Sequence, residues 1–215
     1  MTLIRFIGDM HGSMKKYKKL IKSAPEKASL QLGDFGVGFY YPYTTKLMGQ
    51  NPPFDTMAKG SHYFIRGNHD NPTVCKQHKF WVEDGTYAPN APDVFCIGGA
   101  TSIDRAYRAE GYTWWEDEEL SYGEWLRIMD LYEQLKPDIV ATHDAPEDVV
   151  RGIIGPMANY LNHYPSRNCS ALQNLFEIHR PAVWLHGHHH ISYRKVYRST
   201  EFIGVGESEY IDLEI

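Results

Sequence analysis

The chain has 215 residues and a mass of 24.8 kDa, with 42% hydrophobic and 23% charged residues, a composition typical of globular proteins. This length predicts one domain spanning residues 1–215, because each of two smaller domains would bury only a small core. Acidic residues outnumber Lys and Arg, giving a net charge of −5, so no global positive charge indicates binding to nucleic acid or an anionic membrane.

The cysteines and the apolar runs bear on the cellular compartment. Cys75, Cys96 and Cys169 are far apart and form no Cys-x-x-Cys pair, which argues against a disulfide framework and a thiolate zinc site. The N-terminal apolar run is too short and too soon charged for a secretory signal, and no run reaches membrane-spanning length. We therefore expect a cytoplasmic protein that does not associate with membranes.

Short apolar runs, each followed by glycine or polar residues, predict buried strands. In chain order these runs are Leu3–Ile7, Leu30–Leu32, Tyr63–Ile65, Val94–Ile97, Asp138–Ala141 and Ala182–Leu185. The segments Tyr193–Tyr197 and Glu201–Val205 have the pattern of a terminal hairpin, which predicts a mixed or doubled sheet.

Helical periodicity separates several of these runs. Ser13 is a candidate N-cap, and Ser121–Glu124 has the sequence of a capping box. A third helix is predicted from about Cys169 to His179, and the acidic run Glu116–Glu119 is expected to be a solvated helix start. Strands that alternate with helices predict a layered α/β fold.

Polar side chains stand at the carboxyl ends of five predicted strands, where open α/β sheets bind ligands. They are Asp9, His11, Asp34, Asn68, His69, Asp70, His143, His188 and His190. Each motif alone could be a turn, a helix cap or a surface cluster. Together they supply only oxygen and imidazole donors, which suit Mn, Fe, Zn or Co. The donors are too many for one ion, whereas two ions about 3.5–4 Å apart that share a carboxylate would use nearly all of them.

These blocks resemble the signature of the calcineurin-like metallophosphoesterases, which runs Asp-x-His, Gly-Asp, Gly-Asn-His-Asp/Glu, a lone His and Gly-His-x-His. The chain matches at Gly8–Gly12, Gly33-Asp34, Gly67–Asp70, His143 and Gly187–His190. The match therefore spans residues 8 to 190. The resemblance implies a four-layer α-β-β-α sandwich with two mixed β-sheets.

The resemblance also implies roles for individual residues. It places a first metal ion on Asp9, His11, Asp34 and His190, and a second on Asp34, Asn68, His143 and His188. Manganese is the favoured metal, with iron, zinc and cobalt as alternatives. A hydroxide between the ions would be the nucleophile, and His69 would protonate the leaving group. Asp70 would hold His69 in its working tautomer, and Arg66 would bind a phosphoryl oxygen. His189 is expected to point away from the metals.

The chain departs from part of the family in its second block. Phosphoprotein phosphatases and dinucleoside tetraphosphatases carry an Asp and an Arg where this chain has Val37 and Gly38, so a phosphate-binding arginine is missing. The segment Gly98–Arg105, with Trp114 and Trp115 after it, instead resembles small phosphoesterases of bacteria and phages.

The sequence therefore predicts a metal-dependent phosphoric ester hydrolase, a phosphatase or phosphodiesterase acting on a small or nucleotide-like ester. Arg105, Arg108, Trp114 and Trp115 lie in an insertion after the fourth strand and are expected to bind a planar group such as a nucleobase, unless the tryptophans simply pack the insertion onto the core. A nuclease is a weaker alternative because the chain is acidic. A non-catalytic scaffold is weaker still, because every ligand position is filled.

Overall fold

The computed structural model describes residues 2–40, 52–155 and 165–215. Within these ranges the strands are β1 (Leu3–Ile7), β2 (Ala28–Leu32), β3 (Ser61–Ile65), β4 (Thr86–Ala88), β5 (Ala91–Ile97), β6 (Ile139–Thr142), β7 (Val183–His186), β8 (Tyr193–Tyr197), β9 (Thr200–Gly204) and β10 (Tyr210–Glu214). The α-helices are α1 (Met14–Lys22), α2 (Phe54–Met57), α3 (Pro72–Cys75), α4 (Tyr122–Leu135), α5 (Glu147–Val149) and α6 (Arg167–Ile178). Short 3₁₀ turns cover Pro25–Lys27, Arg105–Tyr107 and Glu116–Glu118, and a π-helical turn covers Val150–Ile154.

The strands form two mixed sheets. The first has the order β10-β1-β2-β3, in which only β10 is antiparallel to its neighbour. The second has the order β4-β5-β6-β7-β9-β8, with antiparallel pairs at both edges and parallel pairs between them. The parallel strands in each sheet therefore end at a common edge, and that edge carries the polar residues.

The two sheets pack face to face around a shared apolar core. Their inward side chains form one buried cluster that includes Phe6 and Leu30 from the first sheet and Val94, Ala141 and Leu185 from the second. Successive residues of a strand point to opposite faces, so the neighbours of these residues point outward.

The outward side chains are buried by helices. Ile7 and Phe64 pack with residues of α1, α2 and α3. On the other sheet Phe95, Trp184 and Phe202 pack with α4 and α6. Complete burial of one such side chain contributes about 1.5–3 kcal/mol. The result is the predicted α-β-β-α order of layers, and it explains why the inner strands are apolar on both faces.

All eight predicted strands are present, with ends shifted by no more than three residues. The predicted capping box is confirmed, because the Ser121 hydroxyl accepts from the Glu124 amide while the Glu124 side chain accepts from the Ser121 amide. Ser13 precedes α1 as predicted, but its side chain makes no capping bond. Over the described ranges, no helix is both long enough and apolar enough to cross a lipid bilayer.

Candidate metal centre

The strand ends of both sheets bring the predicted donors together. Three groups have donor atoms that all lie within 4.8 Å of one another. They are Asp9, His11 and His190; His11, Asp34 and His69; and Asp34, His143 and His188. Each of the first and third groups combines side chains from both sheets, so the centre spans the sandwich.

The first group surrounds the carboxylate of Asp9. Its Oδ2 atom lies 2.9 Å from Nε2 of His190 and 3.8 Å from Nε2 of His11. The two imidazole Nε2 atoms are 3.1 Å apart. Asp9 is fully buried, and no donor among the described residues points at Oδ2 with hydrogen-bond geometry. A buried anionic oxygen that faces imidazole nitrogens without a hydrogen bond fits a cation site.

The third group is built around His143. Its Nδ1 lies 2.7 Å from the carbonyl oxygen of Leu32, which can only accept, so Nδ1 carries the proton of the neutral ring. Its Nε2 then presents a lone pair 3.2 Å from Oδ1 of Asp34 and 3.2 Å from Oδ1 of Asn68. Three acceptors that converge in a buried space require a positive charge between them.

The pKa values of these residues express the same requirement. Burial lowers the pKa of His143, but the charge of Asp34 and a hydrogen bond to it from a protonated Nε2 outweigh burial and raise that pKa to about 10, so a proton on Nε2 can take the place of the cation that the neutral ring would face. Burial raises the pKa of Asp34, yet the charges of His69 and His143 hold it well below its usual range. Burial lowers the pKa of His188 to about 3, which keeps its ring neutral and able to act as a ligand. The donor set therefore fits divalent cations.

The backbone at these strand ends is strained. His11, Asp34, His188 and His190 have φ angles of 41°, 53°, 63° and 56°, in the left-handed region that non-glycine residues rarely adopt. Such strain, which costs on the order of 1–3 kcal/mol per residue, clusters at functional sites. The glycine at position 67 permits the close packing, because a Cβ there would collide with Asp34.

The insertion between β5 and α4, residues 98–121, orients Asn68. The Asn68 side-chain amide donates to the Ser102 hydroxyl at 3.1 Å, which in turn donates to Oε2 of Glu118 at 2.5 Å. Because the amide nitrogen is engaged in this way, Oδ1 is the atom that faces His143. In the acidic run, Glu116 and Asp117 are exposed as predicted, but Glu118 is 2% exposed and Glu119 is 7% exposed, so the prediction that the run is solvated is wrong for its second half.

Asp70 does not contact the ring of His69, which corrects its predicted role. Its carboxylate accepts from the backbone amides of Phe35, Gly36, Val37 and Gly67 at 2.7–3.1 Å. These bonds join the loop after β2 to the loop after β3, and the side chain is fully buried. Asp70 therefore holds the loops that carry Asp34 and His69.

His69 is held by aromatic packing and by an arginine. Its ring stacks on Phe39 with centroids 4.8 Å apart and meets the ring of His11 edge-on at 4.7 Å. Nη2 of Arg108 lies 2.5 Å from its Nε2. Arginine can only donate, so Nε2 accepts and the proton lies on Nδ1, which is buried without a partner among the described residues. Burial lowers the pKa of His69 to about 4.

Only one of the five predicted substrate-binding residues, Arg108, lines the metal cavity, and the other four, Arg66, Arg105, Trp114 and Trp115, lie outside it. The Arg66 guanidinium is buried, pairs with Asp84 at 2.9 Å and donates to backbone carbonyls of the insertion, so it cannot reach a phosphoryl oxygen. Trp115 is 8% exposed and packs edge-on against Phe39. Arg105 is exposed and lines other depressions of the surface. These residues anchor or flank the insertion.

A cavity of about 400 Å³ opens over the donors. Its walls contain His11, Asp34, Asn68, His69, Thr101, Ile103, Asp104, Arg108, Ile154, His188, His189 and His190. The insertion thus reaches over the metal groups, as predicted, through Arg108, which was expected there, and through Thr101, Ile103 and Asp104, which were not. His189 also lines the cavity, with its Nε2 directed at Asp144 at a distance of 3.2 Å. The spacing of Asp104 and Arg108, four residues apart, was the only sequence signal for their pairing.

Comparisons with known proteins agree with this geometry. The family model for calcineurin-like phosphoesterases matches residues 2–192. The phosphopantetheinyl hydrolase PptH from Mycobacterium tuberculosis has a similar structure, with a TM-score of 0.54 and 14% identity over 96% of this chain and 90% of that one. A putative 5′-nucleotidase from Staphylococcus aureus is similar with a TM-score of 0.53 and 11% sequence identity, and the match covers 97% of this chain and 49% of that one. GAP50, the anchor in the inner membrane complex of Plasmodium, is similar with a TM-score of 0.50 and 13% sequence identity, and the match covers 97% of this chain and 73% of that one. No curated protein matches the sequence. At these identities the structural likenesses establish the shared fold.

Proposed function

The chain belongs to the calcineurin-like phosphoesterase family, and from this premise we propose that it hydrolyses small phosphate esters with two divalent metal ions. Membership supports the coarser description, a metal-dependent phosphoester hydrolase. The number of ions, their ligands and the substrate are the proposal. It rests on one observation above all, that Asp34 belongs to two of the three donor groups.

The donors divide between two ions around Asp34. Asp9, His11 and His190 would hold one ion together with Asp34, and Asn68, His143 and His188 would hold the other. The distances from Asp34 support this division, since its Oδ2 is 3.9 Å from His11 Nε2 and its Oδ1 is 3.2 Å from His143 Nε2. Manganese is the metal we favour. When bound, such ions polarise a phosphoryl oxygen and activate water as a nucleophile.

His69 is the proposed general acid. It lines the cavity beside Asp34, and its backbone amide donates to Oδ1 of that carboxylate at 2.6 Å, which fixes the start of the side chain. A phosphate ester in the cavity would place negative charge next to the ring, which raises the imidazole pKa and favours the protonated form that can donate to a leaving oxygen. Asp70 would contribute by holding the loop that carries the ring.

A small ester is favoured over a nucleic acid by the charges of the insertion. Its exposed residues include the acids Asp104, Glu110, Glu116 and Asp117. Arg108 is the only Lys or Arg among the described residues that line the cavity. Extended contact with a phosphate backbone needs several cations, and these acids oppose it.

A scaffold role is the remaining alternative, because one structural neighbour is described as an anchor. The fold alone therefore does not decide between catalysis and anchoring. The seven predicted ligands are all present and converge, which favours catalysis.

The test is a panel of esters hydrolysed by protein reconstituted with Mn²⁺, Fe²⁺, Zn²⁺ or Co²⁺. The panel contains p-nitrophenyl phosphate, bis(p-nitrophenyl) phosphate, a nucleoside monophosphate, a dinucleotide, a phosphopeptide and an oligonucleotide. We expect hydrolysis of small esters that is lost on chelation and restored by metal. Protein that binds metal but hydrolyses no ester would support the scaffold, and steeply salt-dependent cleavage of the oligonucleotide alone would support the nuclease.

A further inference from the structure

A cation of the protein would add to the positive charge that bound metal ions offer a phosphate, but the two positions expected from the sequence provide none in the cavity. Val37 and Gly38 stand where related phosphatases carry an acid and an arginine. Arg66 is committed to Asp84 and to backbone carbonyls away from the cavity. A phosphoryl group would therefore have to find its protein cation elsewhere.

Arg108 is the one Lys or Arg among the described residues that line the cavity. Its Nε donates to Oδ1 of Asp104 at 2.7 Å, and its Nη1 donates to the carbonyl of Thr113 at 3.3 Å. Its Nη2 reaches His69, and its side chain is 11% exposed. The contacts with Asp104 and Thr113 fix the plane of the guanidinium, which has five N–H donors, so N–H groups remain for a ligand. A guanidinium fixed in this way is preorganised for a phosphoryl oxygen.

Thr101 gives a second, independent indication. It lines the same cavity, its residue is 2% exposed, and its hydroxyl has no hydrogen-bond partner within the described part of the chain. Buried hydroxyls are nearly always bonded, because an unmade bond is costly. A ligand oxygen in the cavity would supply the missing partner.

We propose that Arg108 and Thr101 form a subsite for the non-bridging oxygens of a phosphate monoester. This inference rests on the proposed function. A monoester has three non-bridging oxygens and a diester has two, so a monoester keeps an additional oxygen for the subsite when the metal ions share the others. The monoester is also a dianion near neutral pH, which strengthens its pairing with a single guanidinium.

The experiment is calorimetric titration of the Mn²⁺-loaded protein with inorganic phosphate, which reads binding without turnover. Arg108→Gln should weaken phosphate binding about 10- to 100-fold, because hydrogen bonds between charged groups are the strong ones. Thr101→Val keeps the side-chain shape and should weaken it about 3- to 10-fold. Arg105→Gln removes a nearby charge from the same insertion, outside the cavity, and should leave the affinity and the metal content unchanged. Arg108→Lys keeps the charge but loses the planar set of guanidinium N–H donors, so this variant should bind phosphate with intermediate affinity. It keeps the test valid even if the glutamine variant fails to fold.

A second readout compares esters. Arg108→Gln should lower kcat/KM for p-nitrophenyl phosphate about 10- to 100-fold and lower that for bis(p-nitrophenyl) phosphate less. Unchanged phosphate affinity in both Arg108 variants would overturn the subsite while leaving a working hydrolase. Equal weakening by Arg105→Gln would overturn it too, since the effect would then be long-range charge. If the wild type hydrolyses no ester but binds phosphate through Arg108, the proposed function fails and the subsite stands.

Discussion

Asp34→Asn removes one charge from the centre of the site with almost no change in shape. The side chain is 2% exposed, and its Oδ1 accepts the His69 amide at 2.6 Å, a bond that the asparagine oxygen can keep. The amide nitrogen would replace Oδ2, the oxygen 3.9 Å from His11. We expect both metal ions to bind more weakly, because this carboxylate belongs to donor groups on both sides of the centre.

Asp9→Asn is the matched control. Asp9 is equally buried, and its Oδ1 likewise accepts a backbone amide, from His188 at 3.0 Å. It belongs to only one donor group. Even a partner of a metal ligand contributes about 10- to 100-fold to affinity or activity. Weaker binding of both ions should therefore lower activity by about 10²- to 10⁴-fold at limiting metal concentration, and weaker binding of one ion by about 10- to 100-fold.

The assay measures metal content by elemental analysis after desalting and kcat/KM over a range of Mn²⁺ concentrations. Asp34→Asn should lose both ions, and Asp9→Asn should lose one. If both variants lose the same number of ions, or if Asp34→Asn retains two, then Asp34 does not bridge.

Three further predictions follow from the site and the fold. Fully active protein should contain two divalent ions per chain, and one ion by elemental analysis would contradict the dinuclear centre. His69→Gln should keep both ions and slow alkyl phosphates about 10²- to 10⁴-fold more than p-nitrophenyl phosphate, whose leaving group needs no proton; equal slowing, or loss of an ion, would refute the general-acid role. Burial lowers the pKa of His62 from 6.5 to about 4, so the neutral form stabilises the fold above pH 6.5 and that contribution is lost as the pH falls towards 4. In urea unfolding of chelated protein, the free energy of unfolding of the wild type should fall by about 1–3 kcal/mol more than that of His62→Gln between pH 7.5 and 4.5. Equal decreases in the two proteins would contradict the lowered pKa of His62.

The strands and the donor cluster were predictable because each depends on local sequence. A run such as Val94–Ile97 is apolar at every position because both faces of its sheet are covered, and that pattern is visible without a structure. The donors follow such runs directly, so the parallel strand ends bring them to one edge. Two strands escaped this reasoning. β4 has only three residues, and β10 (Tyr210–Glu214) is an edge strand in which the acidic residues Asp212 and Glu214 alternate with apolar ones.

The errors concern side chains whose partners are distant in sequence. The position of Arg66 before the Gly-Asn-His block predicts that it lies in the site. Its guanidinium instead binds Asp84 and the carbonyls of Asp117 and Glu118. The acidic residue Glu118 was expected in solvent and is buried against Ser102. Neither partner can be inferred from spacing or periodicity, because both depend on how the insertion folds back onto the strand ends.

The insertion forms part of the site, and its fold determines the partners of both Arg66 and Glu118. Its carbonyls accept hydrogen bonds from Arg66, and its Ser102–Glu118 pair sets the orientation of Asn68. The same segment places Arg108 against His69. Arg66 pairs with Asp84 outside the cavity and the second block offers only Val37 and Gly38, so the protein cation that lines the cavity comes from the insertion. On the proposed function, the missing arginine in that block and the folded insertion are therefore complementary features of one centre, in which the strand ends would hold the metals and the insertion would contact the substrate.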